Sequence, residues 1–432
     1  MTAEIAILNK SAVALAADSA VTISAGSDQH KVFDSADKLF EMCKGEPIAA
    51  MINGGMNFVQ IPLGILVKKF RSQDTRFKKV ADASEAFLKY LNEYAETASA
   101  AVIRREVSVA LQPILEIIKD RFDDRYLTRY FGDDGNIDPQ YIGEDGLARA
   151  RADELTFQLQ VMRAYLEHQP DAEFVGGVAP KLDDELATLS WSLFKHVLPD
   201  LSKDHTGEAA AICLLAIKKV TKIQGSTGLV IAGYGSDELF PTLVSFEIRG
   251  APCGRLRFSR VHHVDIDRDG DRARVIPFAQ REMVERFLYG LDEDIQRDIS
   301  QFCRSSVPSI SKSIIDRLEM SQAEKDALAA EATNAEAEFL AGLTQKSFDA
   351  IRQQSQAEIE DMVEFMPKPE MARMAEALVN LTSIKRRVSR GMETVGGPID
   401  VLMISQSEGL VWVKRKHYFP PELNSRFFNR IR

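Results

Sequence analysis

Threonine at position 2 carries a side-chain hydroxyl that removal of Met1 would place on the same residue as a free α-amine. A hydroxyl is a weak nucleophile until a base takes its proton. An α-amine titrates near pH ~7.7–8.0, so a usable fraction of it is an unprotonated base at neutral pH. Thr2 can therefore supply nucleophile and base together, and a residue this small suits removal of the methionine before it. Many chains begin Met-Thr with no chemistry attached, so the weight falls on the residues downstream of Thr2.

Residues 4–9 (Glu-Ile-Ala-Ile-Leu-Asn) and 11–17 (Ser-Ala-Val-Ala-Leu-Ala-Ala) predict two strands joined by a tight turn at Asn9-Lys10. Asp18-Ser19-Ala20-Val21-Thr22 closes the second strand. Lys38 then precedes a strand-like Leu39–Met42, and a Lys44–Pro47 turn leads into Ile48–Ile52. That strand ends in Asn53-Gly54-Gly55, with a helix expected from about Met56. Each piece has a plain structural meaning: Asp18 ends a strand in a turn, Lys38 is a solvated strand residue, and Gly54-Gly55 is a tight corner. In order, and attached to Thr2, they read as a site.

The ordered set of terminal Thr, Asp-Ser-x-x-Thr turn, strand-opening Lys and Gly-Gly corner resembles the N-terminal half of proteasome β-subunits and the related HslV-type bacterial peptidases. These are N-terminal nucleophile (Ntn) hydrolases. The interval from Thr2 to Asp18 matches that pattern without a gap. The resemblance implies that Thr2 Oγ attacks a scissile carbonyl while its own amine acts as base, through a water. Lys38 would lower the amine's proton affinity, since a like charge disfavours the protonated form. Asp18 would hold Lys38, and the Gly54 N–H would face the developing oxyanion. Thr22 and Gly55 match positions that bind substrate. The Asp18–Lys38 interval is a few residues longer than the family's, which implies an insertion around Ser27–Asp34 and leaves Lys31 as the rival lysine.

The likeness returns later in the chain. Thr227–Tyr234 and Pro241–Ile248 are similar to a core strand and its hairpin partner, and Thr394–Ile404 to a late Gly-Gly corner before a core strand. The usual pattern has an Asp, two residues, then a Ser ahead of that corner. This chain offers Met392 or Glu393 for the Asp and Val395 or Gly396 for the Ser, so Glu393 is the candidate accessory acid. A Gly-Ser-Gly expected before a helix near Arg281 is replaced by Ile276-Pro277-Phe278-Ala279-Gln280.

A chain of 432 residues is long enough for a large core or two domains. Residues 83–222 and 282–390 carry apolar residues at helical spacing, including 84–98 with Ser84 as its N-cap, 108–122, 147–167, 323–343 and 350–362. The expected fold is α+β, a four-layer αββα Ntn sandwich of antiparallel sheets enlarged by helical insertions. Its segments are 1–82 for the first half of the core, 83–222 helical, 223–281 core strands, 282–390 helical, and 391–432 for the last strands and tail.

The net charge of −10 argues against nucleic acid, although the tail from Arg426 to Arg432 is basic and aromatic. Cys43, Cys213, Cys253 and Cys303 lack zinc or disulfide spacing, which points to a reducing, cytoplasmic setting with no metal and no cofactor. Asp265–Gly270 begins like a calcium loop, but Ile276 stands where a bidentate Glu is needed, so a hairpin turn is expected. No run reaches the ~18 apolar residues of a membrane helix. The expected activity is peptide-bond hydrolysis through a Thr2 acyl-enzyme. The partners implied by the resemblance are a homo-oligomeric ring and a separate ATPase unfoldase. The alternatives are a small-molecule Ntn amidase or a catalytically silent assembly subunit.

Overall fold

The computed structural model describes residues 3–24, 30–130, 144–181, 184–268, 270–388 and 396–426. The chain opens with β1 (Ala3–Asn9), β2 (Ala12–Ala17), β3 (Val21–Ser24), β4 (His30–Phe33), β5 (Leu39–Glu41) and β6 (Ile48–Gly54). A short hairpin of β7 (Asn57–Phe58) and β8 (Ile61–Pro62) precedes α1 (Leu63–Arg71), α2 (Val80–Glu96), α3 (Ala100–Tyr130) and α4 (Glu144–Glu167). After β9 (Glu173–Phe174) come α5 (Asp184–Val197), α6 (Thr206–Lys218), β10 (Thr227–Gly233), β11 (Thr242–Ile248), β12 (Arg257–Asp265) and β13 (Ala273–Ala279). The last part holds α7 (Glu282–Tyr289), α8 (Glu293–Asp316), α9 (Gln322–Gly342), α10 (Asp349–Glu364), α11 (Lys368–Val388), β14 (Asp400–Ser405) and β15 (Gly409–Lys414). The protein is thus α+β, with antiparallel strand pairing.

The chain divides into two compact units, each drawn from separate stretches of sequence. The first comprises residues 1–39, 238–242 and 264–432. Its sheet runs β13-β1-β2-β14-β15. Alternate residues of a strand point to opposite faces. Ala3, Ile5 and Ile7 of β1 and Ala12, Ala14 and Ala16 of β2 share one face. They pack against Val284 and Leu288 of α7, Val363 of α10 and the Met371–Val379 stretch of α11. The alanines let helix backbone come close. The opposite faces of β1 and β2 are buried as well, which is why β2 reads as a continuous apolar run and β1 as one broken only by Glu4 before it ends at Asn9.

The second unit comprises residues 40–237 and 243–263. Its sheet runs β5-β6-β10-β11-β12-β9. One face packs on Leu66, Val67 and Phe70 of α1 and on Phe87, Leu88 and Leu91 of α2. A separate apolar cluster holds α3, α4, α5 and α6 together through residues such as Leu111, Leu159, Phe194 and Ile212.

Several local expectations change. The helix after Gly55 begins at Leu63, because β7 and β8 occupy the intervening residues. Val59 and Gln60 of that hairpin's turn both take positive φ, at 43° and 65°. Asn-Gly is the usual pair there, and a β-branched Val at such an angle is strained. Ser84 lies inside α2, not at its start, and its hydroxyl donates back to the Ala81 carbonyl. The loop around Asp265–Gly270 is not a hairpin turn: β12 and β13 belong to different sheets. α9 buries none of its side chains and starts at a Ser321–Glu324 capping box, so it adds little to a core.

Asn9 fixes the first hairpin. Its Oδ1 accepts from Ser11 N, Ser11 Oγ and Ala12 N, closing the turn, while its Nδ2 donates to the carbonyls of Val363 and Met366 at the end of α10. Asn9→Ala removes all five bonds and leaves two carbonyls without that donor. A loss of roughly 2–3 kcal/mol in unfolding free energy is expected from urea denaturation, with little change in the m-value.

Candidate functional site

β1 and β2 are antiparallel neighbours, with Glu4 opposite Ala17. This register brings Asp18, the residue after β2, back to the chain start. Asp18 N donates to the Ala3 carbonyl at 3.1 Å. In return Asp18 Oδ1 accepts from Ala3 N at 3.1 Å. Ala3 N is covalently joined to the carbonyl carbon of Thr2. The Asp18 carboxylate is thereby tied to the peptide group through which Thr2 enters the fold. Thr2 itself, and Glu393, lie outside the described residues.

Lys38 Nζ sits 2.5 Å from the same Asp18 Oδ1 and 3.5 Å from Glu4 Oε1. All three side chains are at most 1% exposed. Among the described residues, Lys38 therefore faces two acids, hydrogen-bonding Asp18 and lying within ion-pair distance of Glu4. Asp18 Oδ2 accepts from Gly396 N at 3.0 Å. Ser19 N donates to the Gly396 carbonyl, and Ser19 Oγ donates to Pro398 O. Gly397 has a φ of 75°, and a Cβ there would meet Asp34 Cβ at 2.8 Å and its carbonyl oxygen at 2.9 Å. Glycine is thus required where the late corner closes over the Asp34 backbone.

Isolated ions are costly to bury, and a buried ion stays charged only beside partners. Here Asp18 collects one ammonium and two backbone N–H donors, which together replace water around it. Glu4 adds a second carboxylate beside the same lysine. Sequence reasoning missed Glu4. The available signal was a charged residue inside a run that is otherwise apolar from Ala3 to Leu8.

The two other sequence candidates near Asp18 stand on the β3–β4 ribbon. Thr22 is opposite Val32, and Lys31 is opposite Ile23; the side chains of Thr22 and Lys31 lie outside the described ones. Lys38 is the lysine that pairs with Asp18.

Gly54 and Gly55 belong to the second unit, where β6 pairs with β10 and Gly54 stands opposite Thr227. Gly54 has a φ of 69°, and a Cβ on it would lie 2.8 Å from Ser226 O. A Cβ on Gly55 would overlap Thr227 Oγ1. Gly55 N donates to Ser226 O at 3.3 Å. No side chain fits at either position, and both residues are exposed. Exposed, glycine-lined backbone is what close approach of a ligand needs.

Two of the four cysteines are poor nucleophiles. Burial, with added repulsion from Glu46 and Glu41, pushes the Cys43 thiol up to about 12. Burial does the same to Cys213, also to about 12. A thiol is reactive as thiolate, so both should resist alkylation near pH 8. Among the described residues, no group of His, Cys, Asp and Glu side chains is placed to hold a metal ion. No helix of the described residues is long and apolar enough to cross a membrane.

Lys38→Ala leaves Asp18 and Glu4 buried without their cation and should cost about 3–5 kcal/mol in denaturant unfolding. Native-state titration at pH 8 with a thiol reagent should label Cys253 and Cys303 and leave Cys43 and Cys213 unmodified until denaturant is added. No family model, no curated protein and no solved structure matches this chain.

Proposed function

We propose that the protein is a proteasome-like N-terminal threonine hydrolase, with Thr2 exposed by loss of Met1 as nucleophile and base. The observation that carries this reading is the buried Lys38–Asp18 pair tied to Ala3 N, the amide that links Ala3 to Thr2. A cation held there disfavours a protonated α-amine on the next residue and keeps it available as a base. Thr2 Oγ, deprotonated through a water, attacks an amide carbonyl. The amine then protonates the leaving nitrogen, and water hydrolyses the acyl-enzyme. The resemblance gives the Gly54 N–H as oxyanion donor, and within its own unit its left-handed φ and exposure suit close approach of backbone to a ligand.

The proposed architecture is the four-layer αββα sandwich. In its support, β1 and β2 are buried on both faces, and α7, α10 and α11 pack on one of them, as expected of an inner sheet of such a sandwich. The proposed substrate is a peptide or protein, and the proposed assembly a homo-oligomer, with a ring served by an ATPase unfoldase as its fullest form. The departures at 392–396 favour a second reading, a silent Ntn-fold subunit. Gly396 bears on this: its N–H donates to Asp18, so backbone supplies a bond to the acid next to the terminus.

Intact mass spectrometry before and after a peptide epoxyketone tests the proposal. The expected result is a chain lacking Met1 that gains one adduct mapping to Thr2, with Thr2→Ala giving none. Asp18→Asn should slow adduct formation at least tenfold. A retained Met1, or a free Thr2 that stays unmodified, would establish the silent subunit instead.

A further inference from the structure

The second unit contains a cavity of about 400 Å³ beside the Gly54–Gly55 corner. Gly55, Ser226 and Thr227 line one side, and Arg105, Arg249 and Arg257 line another, with Glu106 the acid among them. Three guanidinium groups around one small space need an account.

Arg257 is 1% exposed. Its Nε donates to Arg249 O, its Nη1 to the carbonyls of Ala216 and Ile217, and its Nη2 to Gln224 Oε1. Every one of these acceptors is neutral, and among the described residues no carboxylate forms an ion pair with it. Burial, with repulsion from Arg249, holds it well below the usual arginine range, at about 9, while attraction to Glu106 works the other way. Glu106 is already engaged, its Oε2 accepting from Ala251 N at 3.0 Å. Arg249 has a side chain only 7% exposed. Its Nη1 donates to Thr221 O and its Nη2 pairs with Glu247, a partly exposed acid. Its Nε is buried and has no hydrogen-bond partner. Arg105 is exposed at the rim.

An unpartnered buried N–H costs free energy, and a buried cation without counter-charge costs more. Both are relieved by the same thing: an anion with two coplanar oxygens, which a guanidinium edge recognises bidentately. We propose that this cavity binds a carboxylate of a peptide, either an acidic side chain or a chain end. The strained Val59–Gln60 turn also lines it, as backbone strain often does at ligand sites. Binding of the carboxylate stands on the cavity alone. Its meaning as substrate selection rests on the hydrolase reading, in which an acidic residue would be held beside the corner that carries Gly54.

Isothermal titration of the full-length Thr2→Ala protein separates the two, because no cleavage is involved. A blocked peptide with one Glu should bind at least tenfold tighter at 50 mM salt than the same peptide with Gln, and should weaken at 0.5 M salt. A Gln peptide with a free C-terminus tests the chain-end carboxylate; binding there, with the blocked Gln peptide silent, upholds the proposal equally. Arg105→Gln, an exposed change that should leave the melting temperature unaltered, should weaken carboxylate binding severalfold. Arg249→Lys, which keeps the charge but loses the planar fork, should do the same. Equal affinity for blocked Glu and Gln peptides with no binding of the free chain end, or binding indifferent to both arginine variants, would overturn the proposal.

Discussion

The burial of Lys38 against Asp18 and Glu4 is the constraint to which much of the first unit answers. An ammonium with almost no solvent exposure is tolerable only where acids and backbone donors are fixed around it. Fixing them recruits separate parts of the chain. β1 supplies Glu4 and the Ala3 amide, the end of β2 supplies Asp18, the segment before β5 supplies Lys38, and the corner before β14 supplies the Gly396 amide. Those contacts span from residue 3 to residue 396. The cluster therefore behaves as a clasp, closed only when β1, β2 and β14 are in register.

Polar order of this kind persists because its surroundings are rigid. β1 and β2 are flanked by small alanines on the helix-bearing face, and Asn9 locks their turn to the end of α10. The hairpin that carries the candidate nucleophile's neighbour is thus held at both ends: by hydrogen bonds at the turn and by the charge cluster at the open end. Such double anchoring is what precise positioning of a reacting group requires.

The second unit uses charge differently. Where the first unit surrounds one cation with two acids, the Arg249–Arg257 region gathers cations and satisfies them chiefly with carbonyl groups. Arg257 stitches the end of α6 to Gln224 and to the Arg249 backbone, which is a structural service in itself. Hydrogen bonds to neutral carbonyls satisfy geometry but leave the charge uncompensated. That difference sets a lysine flanked by acids apart from Arg257, whose acceptors are all neutral.

Much of this was legible in the residue order. The first hairpin, the helical blocks and the two Gly-Gly corners come from local rules (alternation, turn chemistry and the intolerance of Cβ at left-handed φ), although the hairpin's turn falls at Lys10-Ser11, one residue later than the expected Asn9-Lys10, because Asn9 still pairs with Ala12. The pairing of Asp18 with Lys38 was also expected, from an ordered motif that no single residue could carry. Other features were beyond local reading. The β7–β8 hairpin occupies residues that looked like a helix start, because Val59 and Gln60 lack the turn residues that announce such a hairpin. Ser84 looks like a helix cap, but packing of Val80 and Ala83 in the apolar core extends α2 ahead of it. The place of Glu4 beside Lys38, of the Gly396 amide on Asp18, and of three arginines around one cavity depends on contacts across tens to hundreds of residues. Sequence by itself determined which chemistry-bearing residues the chain possesses and which local elements hold them. Tertiary structure decided which of their charges are compensated, since burial and partnership are properties of the folded neighbourhood and not of the residue.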